Sequence, residues 1–173
     1  MTCKTISSFA VFFACIFGGL TLSAVDPKPA AEPVKKEMTF SMIKPTAVKE
    51  GHIGGIIEVI EKSRLHIAGL KMVKLSKEEA ENFYAEHKGK PFYGELVNMM
   101  SSGPIVAMVI EGENVVTRLR DIVGATDPKK ANRGTIRQLF GKNVGENAIH
   151  ASDSPASAIT EIPFFFTTQE IYP

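Results

Sequence analysis

Met38-Thr39-Phe40-Ser41-Met42-Ile43-Lys44-Pro45 alternates apolar and polar residues, then turns apolar, and closes on proline. That is the pattern of a β-strand, and it leaves Lys44 at the strand's carboxyl end, a good place for a ligand contact. Downstream, Ile53, Ile56, Ile57 and Ile60 recur at helical spacing, so a helix from His52 to about Ser63 turns an apolar stripe inward. Gly54-Gly55 would let its first turn approach another backbone. Residues 65–75 read as a second strand. In Ser76-Lys77-Glu78-Glu79 a serine and the glutamate three residues on form a capping box, which opens a helix through about Tyr84. A further short helical piece covers 92–100, and Ser102-Gly103-Pro104 turns the chain into 105–110, an apolar run suited to a central strand. Asn114 is expected to cap a helix that carries Val115, Val116, Leu119, Ile122 and Val123 inward, with Arg118 and Arg120 beside the stripe and Gly124 at its end. After a long polar loop, Ala148-Ile149 begins a short strand. Ser154-Pro155 reads as an N-cap with proline at the first helical position, Pro163 is expected to end or bend that last helix, and Phe164-Phe165-Phe166 to pack back on the core. Strand, helix, strand, strand, helix, strand is the split βαβ order. It implies a ferredoxin-like α+β domain, βαββαβ, with a mostly antiparallel four-stranded sheet, helices on one face and extra helices inserted.

Upstream of Met38 the composition changes. Residues 1–22 carry Lys4 and then a nearly uninterrupted apolar run over 9–22, which is shorter than a bilayer-spanning helix and looks like a secretory signal peptide. Residues 1–24 are expected to be a signal peptide or membrane anchor, 25–37 a linker of proline, alanine, lysine and glutamate, and 38–173 the folded domain. Export or membrane tethering follows from that segment. If translation instead starts at Met38, the location is cytoplasmic and residues 1–37 are a start-site error. Cys3 and Cys15 both fall in this segment, so the domain offers no thiol for a disulfide, a zinc site or a nucleophile. The formal net charge of +1 argues against nucleic acid as a partner, and no Arg/Lys-Gly-Phe-x-Phe strand of an RNA-binding module is present.

The chemistry concentrates in Asn147-Ala148-Ile149-His150-Ala151-Ser152-Asp153-Ser154, which sets one imidazole among an amide, two hydroxyls and a carboxylate just before a helix start. Near pH 7 much of a histidine population carries a free lone pair, able to act as base, ligand or nucleophile. No Gly-x-Gly-x-x-Gly follows a strand and no glycine loop ends in Gly-Lys-Ser or Gly-Lys-Thr, so a phosphate site must rely on side chains. Arginine grips phosphate through a fixed fork, lysine as a point charge, threonine through a hydroxyl. Lys44, Arg120, Thr126 and Arg137 are the candidates, each also readable as a solvated surface residue. Phe92, after the turn Gly89-Lys90-Pro91, is either a stacking surface for a base or a core residue. The carboxylates show no metal-cage spacing, so no protein metal site is expected and Mg2+ would arrive on substrate phosphates.

From Met38 onward, over roughly four-fifths of the chain, the sequence resembles a nucleoside diphosphate kinase. The resemblance is carried, in order, by Ile43-Lys44-Pro45, Phe83-Tyr84, Lys90-Pro91-Phe92, Ser102-Gly103-Pro104, Gly124-Ala125-Thr126-Asp127-Pro128, Gly134-Thr135-Ile136-Arg137 and the His150 stretch. It implies a ping-pong reaction in which His150 takes the γ-phosphate of a nucleoside triphosphate, usually ATP, and passes it to a nucleoside diphosphate. By the same resemblance Lys44, Arg120, Thr126 and Arg137 hold phosphates, Asn147 and Lys44 reach the sugar, and Phe92 stacks on the base. Tyr84 lies beside the reacting phosphate, and Glu161, supported by Ser152, orients the imidazole. Relatives are homo-oligomers, tetramers or hexamers. The family usually has aspartate at Thr46, arginine at Glu146, glycine at Ala151, and a charged or small pair at Gln138-Leu139. Glu146 adds negative charge near the polyphosphate, Leu139 bears on how the long loop is anchored, and Thr46 can still cap a helix. The alternative is a nucleotide-binding protein of the same fold with weakened catalysis, against which the joint presence of His150, Glu161 and Tyr84 counts.

Overall fold

The structure is a computed structural model that describes residues 36–173. The expected targeting segment and the linker as far as residue 35 lie outside the described residues, and Glu37 is already the first residue of a strand. In chain order the elements are β1 (Glu37–Ile43), α1 (Pro45–Lys49), α2 (Ile53–Lys62), β2 (His66–Lys74), α3 (Lys77–Phe83), a 3₁₀ turn (Ala85–His87) and α4 (Tyr93–Met100). They continue with β3 (Pro104–Gly112), α5 (Val115–Val123), α6 (Ile136–Phe140), β4 (Ile149–Ala151), α7 (Pro155–Phe165) and a closing 3₁₀ turn (Thr168–Glu170). The sheet order is β2-β3-β1-β4, antiparallel at every pairing, so the ferredoxin-like plan holds and the apolar run of β3 is an inner strand.

Helices cover both faces rather than one. On β3, Val106, Met108 and Ile110 enter a core with Ile56 and Ile60 of α2 and Leu119 of α5. Ile105, Ala107 and Val109 enter a second core with Ala80 of α3, Val97 and Met100 of α4, and Phe166 just after α7. Strand order predicts pairing but not layering; β3 is apolar on both sides, and an apolar face left to water would cost about 25 cal/mol per Å².

The capping box at Ser76 forms, with Glu79 N donating to Ser76 Oγ at 3.1 Å and Ser76 N to Glu79 Oε2 at 2.7 Å. Other local expectations are corrected. Asn114 occupies the N-cap of α5 but in the left-handed region at φ 49°, and its side chain does not cap. Thr46 lies inside the five-residue α1, whose N-cap is Lys44, so it caps nothing. Gly55 makes room for a ring rather than a backbone, since a Cβ there would stand 3.0 Å from Phe140 Cζ, and Gly54 faces nothing within 4 Å. Pro163 sits within α7, which runs on to Phe165; both Pro163 and Ile159, whose carbonyl it leaves without a helical donor, are exposed. Of the three phenylalanines only Phe166 is buried, Phe165 is half-buried, and Phe164 remains 40% exposed.

Candidate functional site

At the carboxyl end of β1 a cleft of about 770 Å³ opens between the Tyr84–Phe92 segment and α4 on one side and the loop 141–147 on the other. Lys44, Tyr84, Phe92, Thr126, Arg137, Asn147 and His150 all line it. Ser152 and Glu161 stand behind His150, while Arg120 is an exposed residue of α5 outside the lining.

His150 is the middle residue of β4, opposite Met42 of β1. Its neighbours Ile149 and Ala151 are buried in the α2/α5 core, so strand alternation turns the imidazole to the other face. There it meets Phe83 edge-on at 5.5 Å and Phe40 at 6.0 Å between ring centroids. α7 starts at once, because Ser154 accepts a bond from Ser157 N at 3.1 Å and Pro155 is already helical. Further along that helix Glu161 reaches back, its Oε2 3.0 Å from His150 Nε2. Ser152, fully buried, donates its hydroxyl to the same oxygen at 2.6 Å, and its Oγ accepts from Phe40 N at 3.2 Å. Two donors thus hold the carboxylate still. The bond assigns the ring proton to Nε2 and leaves the lone pair on Nδ1.

Lys44 is 7% exposed and donates to Asn147 Oδ1 at 2.6 Å, across 103 residues of sequence. Asn147 Nδ2 in turn donates to the Thr126 carbonyl at 3.2 Å, which ties the long loop to the end of β1. Burial, helped by Arg137, brings the Lys44 pKa down to about 8. Arg137 donates to the carbonyls of Gly124 at 3.0 Å and Ile149 at 3.2 Å, and its Nε has no partner among the described residues. Burial, then the charge of Arg120, lowers Arg137 to about 10, and of the two only Arg137 lines the cleft. Tyr84 is 4% exposed, and its hydroxyl has no partner among the described residues. Burial, then Glu161, pushes its ionisation far up, so it stays a neutral donor. Phe92 is 50% exposed at the mouth, which is how a stacking platform rather than a core residue would sit.

The cleft is also lined by residues that the sequence did not single out, among them His87, Glu95, Asn143 and Val144. His87 closes the 3₁₀ turn, its ring 6.0 Å from Tyr84 at 21° and edge-on to Phe92 at 5.6 Å. Side chains three apart eclipse in a 3₁₀ turn, which sets His87 over Tyr84 at the turn's N-cap. Among the departures from the family pattern, Glu146 lines the cleft, Gln138 Oε1 accepts from Gly134 N at 3.0 Å and so anchors the long loop, Leu139 is 50% exposed, and Ala151 is packed in the core. Among the described residues no three His, Cys, Asp or Glu side chains converge as a metal cage. The carboxylates on the cleft wall are Glu95 and Glu146, a donor set suited to an ion whose other ligands are phosphate and water oxygens.

The family model for nucleoside diphosphate kinase matches residues 37–171. A nucleoside diphosphate kinase of Bdellovibrio bacteriovorus is 55% identical over 135 residues, 78% of this chain and 96% of its own length. One of Persephonella marina is 54% identical over the same shares. Among solved structures, the Aquifex aeolicus nucleoside diphosphate kinase superposes with a TM-score of 0.77 at 44% identity, over 79% of this chain and 99% of that one. A Halobacterium salinarum nucleoside diphosphate kinase in complex with CDP gives a TM-score of 0.77 at 40% identity, over 80% and 93%.

Proposed function

Since the chain belongs to the nucleoside diphosphate kinase family, and so moves the γ-phosphate of a nucleoside triphosphate to a nucleoside diphosphate, we propose that His150 carries the phosphate between the two. The observation behind this reading is the single bond from Nε2 to a carboxylate that Ser152 also holds, which leaves Nδ1 without a partner among the described residues on a ring that lines the cleft. Nδ1 attacks the γ-phosphorus, a P–N bond forms as the bond to the bridging oxygen breaks, and the diphosphate leaves. A terminal oxygen of the second diphosphate then attacks the same phosphorus, and the electron pair returns to Nδ1. The Nε2 proton stays in place throughout, and the Glu161 carboxylate offsets the positive charge that the ring gains while phosphorylated. Arg137, Lys44, Arg120 and Thr126 meet the charge spread over phosphoryl oxygens, and the Tyr84 hydroxyl supplies a neutral donor beside the ring. Phe92 stacks on the base without reading its edge, which gives breadth of substrate. Mg2+, carried on the substrate's phosphates, would neutralise part of their charge. Incubation with γ-labelled triphosphate tests the reading: an acid-labile label on the protein that a cold diphosphate removes is expected, and protein that never takes up label would refute it.

The Lys44 pKa of about 8 makes phosphate affinity pH-dependent. The lysine is charged below that value and neutral above it, whereas a diphosphate is already ionised above about pH 7. KM for the diphosphate should therefore rise from pH 7 to 9.5, and Lys44→Met should flatten that limb. Unfolding cannot mimic the effect: a lysine whose folded pKa lies below its unfolded value destabilises the fold in full below about 8, and that cost is relieved as pH rises toward 10.5. A limb unchanged in Lys44→Met would remove Lys44 from phosphate binding.

We also propose a homo-oligomer, tetramer or hexamer, which sedimentation velocity would count; β2 is an edge strand whose Ala68 carbonyl accepts from Tyr172 N at 2.7 Å, and on it Leu70 and Met72 are 49% and 56% exposed. For location, the proposal is export or tethering through residues 1–24. Among the described residues no helix is long and apolar enough to cross a membrane. Mass spectrometry of the native first peptide checks it: a start at Val25 or further upstream is expected, while a soluble cytoplasmic protein starting at Met38 would reverse it.

A further inference from the structure

The loop 141–147 forms one wall of the cleft and belongs to no helix or strand. Its own bonds are short-range: Lys142 N donates to the Glu146 carbonyl at 2.9 Å, and Glu146 N to Asn143 Oδ1 at 2.9 Å. Its position against the body of the domain is set at its two ends. At the inner end Asn147 Oδ1 receives the Lys44 ammonium at 2.6 Å. At the outer end the Lys142 ammonium pairs with Glu50 Oε1. Just before it Phe140 fits the space that Gly55 leaves, with the His52 ring 5.2 Å away. Lys44 is the N-cap and Glu50 the C-cap of the same helix, α1, which is only five residues long. A piece of chain about 9 Å from cap to cap thus holds both ends of the wall.

We propose that α1 is a strut that sets the width of the base-binding end of the cleft, with Glu50 and Lys142 as positioning residues for the nucleotide. The inference rests on the reading that this cleft holds a nucleotide with its base between Phe92 and the loop. Neither side chain lines the cleft, so neither touches substrate. They act by fixing Asn143, Val144 and Glu146, which do line it. Stability is not the main readout, because pairs as exposed as this one, with side chains 30% and 54% accessible, contribute little to folding. A wall free to move at its outer end loses ground-state contacts with base and sugar but leaves the phosphates and Nδ1 in place. The effect therefore falls on KM, not on kcat.

The test is a charge swap in the full chain, read by steady-state kinetics with a nucleoside diphosphate acceptor. Glu50→Lys and Lys142→Glu should each raise KM roughly fivefold, through a lost pair and a new like-charge contact, with kcat within twofold of the unmutated chain. The double variant Glu50→Lys/Lys142→Glu should bring KM back to within twofold. A control melting curve separates misfolding from the proposed effect, and the milder Glu50→Gln, expected to raise KM about twofold, keeps the question open to test if a reversal unfolds the domain. Unchanged KM in the single variants, or raised KM that the swap does not restore, would overturn the strut while leaving transfer by His150 intact. Absence of transfer by the unmutated chain would overturn the functional reading and the strut with it.

Discussion

His150→Ala is expected to abolish phosphate transfer, by about 10⁴-fold or more, and to leave the protein unable to take label from γ-labelled triphosphate. The cleft holds a second imidazole, and the two differ in how they are held. His87 also lines the cleft, but the carboxylate nearest it is Glu86, 3.6 Å away and 74% exposed, a contact that solvent weakens. His150 has Glu161 at 3.0 Å, with side chains 20% and 15% accessible and Ser152 behind the carboxylate. Only at His150 is one nitrogen committed to a fixed proton so that the other stays a nucleophile. The fold should tolerate the change, since the ring is half-buried at the cleft wall and Glu161 keeps its bond from Ser152. Binding of a diphosphate should persist, because Lys44, Arg137 and Phe92 are untouched. Transfer within tenfold of the unmutated chain would sink the assignment, and label retained on His150→Ala but lost in His87→Ala would move it to the other ring.

Much of this site could be read from the sequence because its chemistry is contiguous. Asn147, His150 and Ser152 come from one stretch, and strand alternation with an N-cap at Ser154 says how that stretch is held. The inner strand β3 announces itself as an apolar run, and the capping box at Ser76 forms as spelled. What stayed hidden was either too short for periodicity to register or set by long-range packing. α1 and α6 have five residues each, little more than one turn, so no amphipathic pattern develops. The bond between Lys44 and Asn147 spans 103 residues, and no local rule foretells it. Asn114 is the instructive failure: an asparagine before an apolar stripe predicts a cap, but this one uses the residue's other property, its tolerance of the left-handed region, and turns the chain instead.

Arg120 and Arg137 are alike in sequence terms, and the structure separates what each should cost when removed. Arg120→Ala takes away an exposed guanidinium that makes no hydrogen bond among the described residues, so its effect should be on transfer alone, roughly 2 to 4 kcal/mol in the transition state. Arg137→Ala should lose as much in transfer and also destabilise the domain. Its guanidinium satisfies the Gly124 carbonyl at the end of α5 and the Ile149 carbonyl in β4, both bonds part-buried between the long loop and the strand of His150. Leaving such acceptors without a donor costs about 1 to 3 kcal/mol. Part of that loss is offset, because the fold already tolerates a cation buried enough to bring its pKa down to about 10. A net destabilisation of about 2 kcal/mol is therefore expected for Arg137→Ala and almost none for Arg120→Ala, read as urea midpoints at an unchanged slope. In both variants the loss of transfer should be the same with adenine and pyrimidine nucleotides, since both side chains are proposed to act on phosphates and neither to read a base. Impairment confined to one base would refute the phosphate role. Equal stability of the two variants would show that the carbonyls of Gly124 and Ile149 find other donors when Arg137 is gone.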